Sequence, residues 1–393
     1  MKLKLVLMLL ACLLVFNCNN SDVLNNINPK QGILKASSTL KAIKTKQFIL
    51  DSYSAPNPQY IQIVQDTAEV KYLSFLNTYN NAIYLYDYTS LTFVKKIIYE
   101  RKGGDGILEP LGYYIKTLDS IYVYDKPTTS LILANSQGHI LERMSLKTNL
   151  DIRDTDWTLK FPQYRSHTAM PIMLTPKELL FTGQFIGSVP EEIVPHFKFT
   201  AHLNLKTKQV NFTHGYPKEL YGSGFNWKGG MYTQVFPELH PDGDKLIYSF
   251  PVSHNLYIAD LKSENYTTVY GGSNVIYDIA SIDETPKKTS PQQFLTHIIE
   301  EDQYLGIRYD KYRKVYYRFF ALGANAKTLD KKNIGVIIMD KEFKYLGETV
   351  FGNWKNWNYN NVFVTEEGLN IEYLDDNHDE GNLTIKVFAI KPL

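Results

Sequence analysis

The feature that most constrains this chain is a hairpin unit that recurs along most of its length. Each copy is an apolar strand ending near an Asp or Lys, a short turn, and a second apolar strand. The copies read IYLYDYTSLTFVKKI (83–97), IYVYDKPTTSLILANSQGHILERMSL (121–146), AHLNLKTKQVNF (201–212), LYIADLKSENYTTVY (256–270) and VIIMDKEFKYLGETV (336–350), and the first strand alone recurs as LTIKVFAI (383–390). Another hairpin precedes each copy. Its clearest form is LHPDGDKLIYSF (239–250), where Pro241 presets φ, Asp242 bonds its own backbone and Gly243 takes positive φ. Weaker forms stand at 76–86, 115–124, 174–183, 309–320 and 364–374.

Two hairpins make four antiparallel strands, and six such units returning on themselves describe a six-bladed β-propeller. The mean spacing of roughly sixty residues exceeds the 40 to 50 of common propeller repeats, which leaves room for long connections. Seven blades is the alternative, because the stretches 146–200 and 270–336 are long enough to hold extra strands. The last unit supplies only about three strands before Leu393, whereas KTKQFILDSYS (44–54) stands ahead of the first unit without a partner. Pairing that strand into the last blade closes the ring and covers an open edge. The composition agrees with an all-β chain: 29 Tyr and 20 Phe are residues that suit a pleated, half-buried surface. No amphipathic helix of four turns is evident. Residues 44–393 are expected to form a single domain.

The amino terminus reads as an address. Lys2 and Lys4 precede an apolar run from Leu5 to Phe16, which is too short to span a bilayer as a helix. Residues 1–17 read as a signal peptide. The run ends at Val15-Phe16-Asn17-Cys18, similar to the lipobox of bacterial lipoproteins, in which the cysteine receives the lipid; Phe16 and Asn17 depart from its usual small residues. The other cysteine, Cys12, lies within the signal, so Cys18 is the expected lipid attachment and a membrane the expected partner. The mature domain holds no cysteine for a disulfide, a thiolate zinc site or a nucleophile. Residues 18–43, rich in Asn and Ser, are expected to be a flexible tether. The chain is expected to be exported to the cell envelope, at the outer membrane, with the periplasmic or surface side open.

The cysteine-terminated signal, KGGDGILEPLGYYIKTLDSIYVYD (102–125), YDKYRKVYYRFF (309–320) and TEEGLNIEYL (365–374) together resemble the Bacteroidetes lipoproteins called domain of unknown function 4221. The resemblance covers nearly the whole mature chain. A wider likeness is to six-bladed propellers of the TolB type, for which the Pro241-Asp242-Gly243 turn is a common signature. It implies fold and envelope location, and it brings no catalytic residue with it.

Chemistry is sparse. Lys and Arg number 42 against 41 Asp and Glu, so the surplus of cations that nucleic-acid binding needs is absent. Asp375-x-Asn377-x-Asp379 has the oxygen spacing of a calcium loop, but its glycine is one place late and Lys386 stands where a bidentate Glu would be. A solvated hairpin tip explains it better, so no metal and no cofactor are expected. Gly103-Gly104-Asp105-Gly106 lacks the helix and GK[ST] of a phosphate loop and reads as a crossover between blades. His196, His202, His214, His240 and His254 lack zinc spacing, and no G-x-S-x-G elbow is present.

Trp354 and Trp357, with Tyr359 and several Asn, form a candidate sugar-stacking platform, and Trp227 in GSGFNWKGGMY (222–232) is a similar candidate. The competing account tucks these rings into the core. Two functions stand at this point. One is a non-catalytic binding or scaffold module for a protein partner or an envelope glycan. The other is an envelope glycan lyase or hydrolase with its carboxylates in the central funnel, supported by fold analogy alone.

Overall fold

A computed structural model describes residues 24–147, 156–222, 224–283, 285–325, 327, 332–374 and 380–393, with the backbone alone at positions 157 and 158. Six four-stranded antiparallel sheets follow one another along the chain. Blades 1 to 5 run from Ile61 to Ile98, Pro110 to Ser145, Met173 to Gly215, Phe236 to Tyr270 and Gln303 to Asn353. Blade 6 takes Trp357–Thr365, Gly368–Tyr373 and Asn382–Pro392 from the end of the chain and Ser38–Ile49 from its beginning. The strand opening each blade lies innermost: that of blade 6 touches those of blades 1 and 5, and that of blade 5 touches that of blade 4. The chain is therefore the six-bladed propeller its repeat predicts. The two long stretches that left room for a seventh blade hold no further four-stranded sheet among the described residues.

Burial follows the position of a strand within its blade. The second and third strands are covered on both faces by neighbouring blades, so Ala82–Asp87 and Val315–Leu322 are apolar almost throughout rather than alternating. Outermost strands such as Phe93–Ile98 return to a wetter pattern. The apolar cores lie between blades. Phe48, Leu383 and Ile385 of blade 6, for instance, pack on Phe75, Tyr84 and Tyr86 of blade 1. The turn after His240 forms as expected, with Gly243 at φ +77° and its N–H donating to the His240 carbonyl at 2.8 Å.

Ser38–Ile49 pairs along Asn382–Pro392 from Ser38↔Pro392 to Ile49↔Asn382. Lys46 seals this junction with blade 1. Its buried ammonium donates to Glu367 at 2.9 Å and to the Tyr88 carbonyl at 3.1 Å, and lies 3.8 Å from the centre of the Tyr88 ring. Burial alone would raise the Glu367 carboxyl, but its bonds from Lys44, Lys46 and Tyr88 outweigh that and hold it at about 2.

The segment expected to be a tether as far as residue 43 is part of the fold from Leu24 onward. Asn25 and Asn26 pair with Ala280 and Ile279. Asn28 Nδ2 donates to the carbonyls of Ser273 and Ile276, Gly32 N–H to Asn274 O, and Ser37 N–H to Leu346 O. Asn-rich sequence looks unstructured because it offers no apolar period. Here its amides serve as hydrogen-bonding groups along the junction of blades 4 and 5.

Two buried cations fasten the second half of the ring. Arg318, fully buried in blade 5, donates to Ser249 Oγ and to the carbonyls of Phe250, Ser253, His254 and Gly271, and lies 3.8 Å from the centre of the Tyr304 ring. Lys332 donates to the carbonyls of Ile298, Ile299 and Glu301, closing the C-terminal end of the helix Pro291–Glu300. That helix begins with a capping box of Ser290 and Gln293 and has Pro291 in its first turn.

Arg318→Met would remove a donor from five oxygens of blade 4 and its following loop, of which Phe250 O and His254 O keep the N–H groups of Ser253 and Gly271. We expect a loss of about 3 kcal/mol or more in urea unfolding. A loss below about 1 kcal/mol would mean that the clamp contributes little.

Candidate functional site

In a blade whose strands run up and down, the first and third turns lie on one face of the ring. The second turn and the link to the next blade lie on the other. On the first face every connection is six residues or shorter, such as 66–70, 118–119, 240–244 and 261–266. The second face carries 183–197, 216–235 and 271–302. All the elaboration of the fold is thus on one side, the usual place for function on a rigid scaffold.

The axis of the ring is occupied by the chain itself. Residues 166–170, in the link between blades 2 and 3, are all buried. Thr168 Oγ1 accepts from Ile61 N–H of blade 1 at 2.7 Å and bonds Asn361 Oδ1 of blade 6 at 2.8 Å. Ala169 N–H donates to Asn360 O of blade 6 at 2.8 Å, and Arg308 of blade 5 donates to the Thr168 carbonyl. The His167 ring packs edge-on against Phe236 of blade 4. Ser166 faces Gly112 of blade 2, where any added Cβ would fall 2.5 Å from the Ser166 Cβ. A segment that meets the inner strands of all five other blades can lie only on the axis, so the expected funnel is plugged. Gly112 provides the clearance for it.

Around the plug the acids are already engaged. Glu238 holds Arg308 at 2.8 Å. Glu372, fully buried in blade 6, accepts from Asn358 Nδ2 at 2.7 Å, Asn361 Nδ2 at 2.6 Å and Asn57 N–H at 2.6 Å. Burial pushes its carboxyl up to about 7 despite these three donors. The same burial, with Arg308 and Arg165 nearby, drives the His167 imidazole down to about 3 and keeps it neutral. These groups tie plug to blades.

A cavity of about 720 Å³ opens on the elaborated face. Val189, Pro190, Tyr221, Phe225, Ile282 and Pro286 give it an apolar wall, while Glu191, Glu192, Asp283 and Lys287 supply charge. It is large enough for a small molecule or for an inserted side-chain cluster. The sequence offered no period or motif for it, because its lining comes from three connections distant in the chain.

The three candidate tryptophans do not form a platform. Trp227 is buried, stacked on Phe225 with centroids 5.4 Å apart, and its Nε1–H donates to Leu220 O at 2.7 Å. Trp357 is buried against Phe351, Tyr373 and Phe388. Trp354 is half-buried against the same core. Their amphipathic rings close interblade loops, and Phe225 rather than Trp227 faces the cavity.

The histidines are structural where they are buried. His202 bonds Glu178 and Thr213, His214 bonds Tyr248 and the Asp260 carbonyl, and His254 links Tyr304 to the Asn26 carbonyl. His240, Asp242 and Asp244 converge at an exposed turn on the plain face. Gly103–Gly106 lies in the link between blades 1 and 2, as expected. Cys18, residues 1–17 and the Asp375–Asp379 stretch lie outside the described residues. Among the described residues no helix is long and apolar enough to cross a membrane.

A family model described as Domain of unknown function (DUF4221) matches residues 37–350. The fold is similar to the crystal structure of a DUF4221 member from Bacteroides vulgatus, with a TM-score of 0.77, 21% identity, and 91% of this chain and 99% of that one covered. It is also similar to a Bacteroides fragilis protein named as a candidate for export, with a TM-score of 0.53, 11% identity, and 93% and 98% covered. No curated protein matches the sequence.

Glu372 carries a pH signature. Between about pH 4.5 and 7 its folded form keeps a proton that the unfolded form has lost, so this group's contribution to stability falls as pH rises through that window. Relative to Glu372→Gln, the native chain should lose up to about 1.4 kcal/mol per pH unit between pH 5 and 7. Parallel urea titrations at pH 5, 6 and 7 check this; a constant difference would refute it.

Proposed function

The chain belongs to the DUF4221 family of six-bladed β-propellers, and from that premise we propose that it is a non-catalytic binding module of the cell envelope, held by a lipid on Cys18. Its elaborated face engages a protein or glycan of the envelope.

The observation that carries this reading is the division of labour between axis and face. In propeller enzymes of the kind the sequence also allowed, reacting groups converge in the funnel. Here the funnel is filled by Ser166–Met170, with Glu238 and Glu372 already engaged as described above. The cavity and the long connections instead offer a mixed apolar and charged surface built for contact. Export is supported by the signal-like amino terminus and by the name of the Bacteroides fragilis neighbour.

Reversing charge at the cavity rim tests the reading without disturbing the core. Tagged protein carrying Glu191→Lys and Glu192→Lys should capture its envelope partner at least tenfold less well than the native chain. Lys311→Glu with Lys314→Glu, on the plain face, should leave capture unchanged. Equal loss from both pairs, or turnover of a glycan panel by the purified domain, would defeat the proposal.

A further inference from the structure

We propose that the elaborated face is turned toward the lipid bilayer and rests on it. This deepens the reading above and depends on Cys18 carrying the lipid. Ser281 N–H donates to Leu24 O at 2.8 Å, Asn25 pairs with Ala280, and the Leu24 side chain lies beside Gly224. Leu24 is thus fixed between the connections 216–235 and 271–302, on the face that holds the cavity and next to it.

Six peptide steps separate Leu24 from Cys18. Their full extension is about 20 Å. The inner strand Gln303–Asp310 alone has 8 residues, and its seven steps of about 3.3 Å make it about 23 Å tall before its turns are added. A lipid on Cys18 therefore cannot be carried past the plain face. Had residues 18–43 been free, as the sequence suggested, every orientation would have been open. The pairing of residues 24–37 along blades 4 and 5 removes that freedom.

The distribution of exposed apolar side chains points the same way. Tyr53, Tyr79, Leu108, Ile186, Tyr277 and Leu295 are exposed in connections of the elaborated face. Among the described residues, the plain face exposes fewer of this class: Tyr312 in a turn and Leu393 beside Ser37. Singly such residues are ordinary. On the face from which the anchor leaves, Tyr and Leu are the side chains that seat at headgroup depth. The partner of the proposed function is then one that itself lies at the membrane surface.

The test uses the full, processed chain with a single introduced thiol, Tyr79→Cys or Tyr312→Cys, each labelled with a fluorophore. The proteins are placed in phosphatidylethanolamine–phosphatidylglycerol vesicles containing a lipid-borne quencher. We expect at least threefold stronger quenching at position 79 than at 312. Equal or reversed quenching on a chain whose Cys18 is shown by mass spectrometry to be acylated overturns the orientation and leaves the anchor standing. Absence of the acyl group defeats both. Shielding of position 79 from a soluble thiol reagent in whole envelopes, with no quenching in vesicles, would assign the cover to a protein and overturn the proposal.

Discussion

Pairing between Ser38–Ile49 and Asn382–Pro392 joins the two ends of the chain, and the rest of the molecule depends on that junction. Each blade buries both faces of its middle strands only if a neighbour stands on either side. An unclosed ring would therefore leave two apolar blade faces, those of blades 6 and 1, and an unpaired strand edge in water, with the aggregation risk such edges carry. Contacts this far apart in sequence are entropically expensive to form, and the reward is cooperative: closure brings six inner strands onto one axis at once. The junction is reinforced where a slip would be worst, by the Lys46 ammonium held among Glu367, the Tyr88 carbonyl and the Tyr88 ring.

The same logic recurs with buried polar groups elsewhere. Arg318 bonds backbone carbonyls rather than an acid, so it contributes geometry that an aliphatic side chain could not, at a substantial desolvation cost. Lys332 does this for the end of a helix, and Glu372 for the loops that flank the plug. A propeller has no single central core, only a series of interblade cores. Polar staples that allow one register therefore specify how blades meet more sharply than apolar packing does.

Much of this was legible in sequence because it is local. Alternating runs such as 83–97 and the Pro241-Asp242-Gly243 turn carry their conformations within a few residues, and the unpaired strand at 44–54 pointed to closure through simple counting. What could not be read is long-range. Ser166–Met170 has no periodicity, and its place on the axis follows from contacts with five blades. Trp227 and Trp357 looked like ligand-binding rings because an aromatic next to Asn has the same appearance in a sugar site and in a loop anchored by Nε1–H. Asn25 to Ser37 resembled a tether because its order comes from hydrogen bonds to residues more than two hundred positions away. One missed element did leave a signal: Ser290-Pro291-x-Gln293 is a capping box with a proline start, and it marks the helix at Pro291.

The proposed function lies on the elaborated face because Ser166–Met170 fill the axis. Hydrogen–deuterium exchange of the intact protein tests it most directly, read at the Ala169 amide, which bonds Asn360 O across the axis. A plug that is part of the fold should exchange as slowly as the inner-strand amide of Tyr304 in blade 5, which bonds Pro251 O and not the plug, opening only with global unfolding. Exchange at Ala169 faster by several orders of magnitude, with Tyr304 still protected, would mean that the plug leaves its seat in the native state. The funnel, with Glu238, Arg308 and Glu372 around it, would then be open to substrate, and the claim would fail.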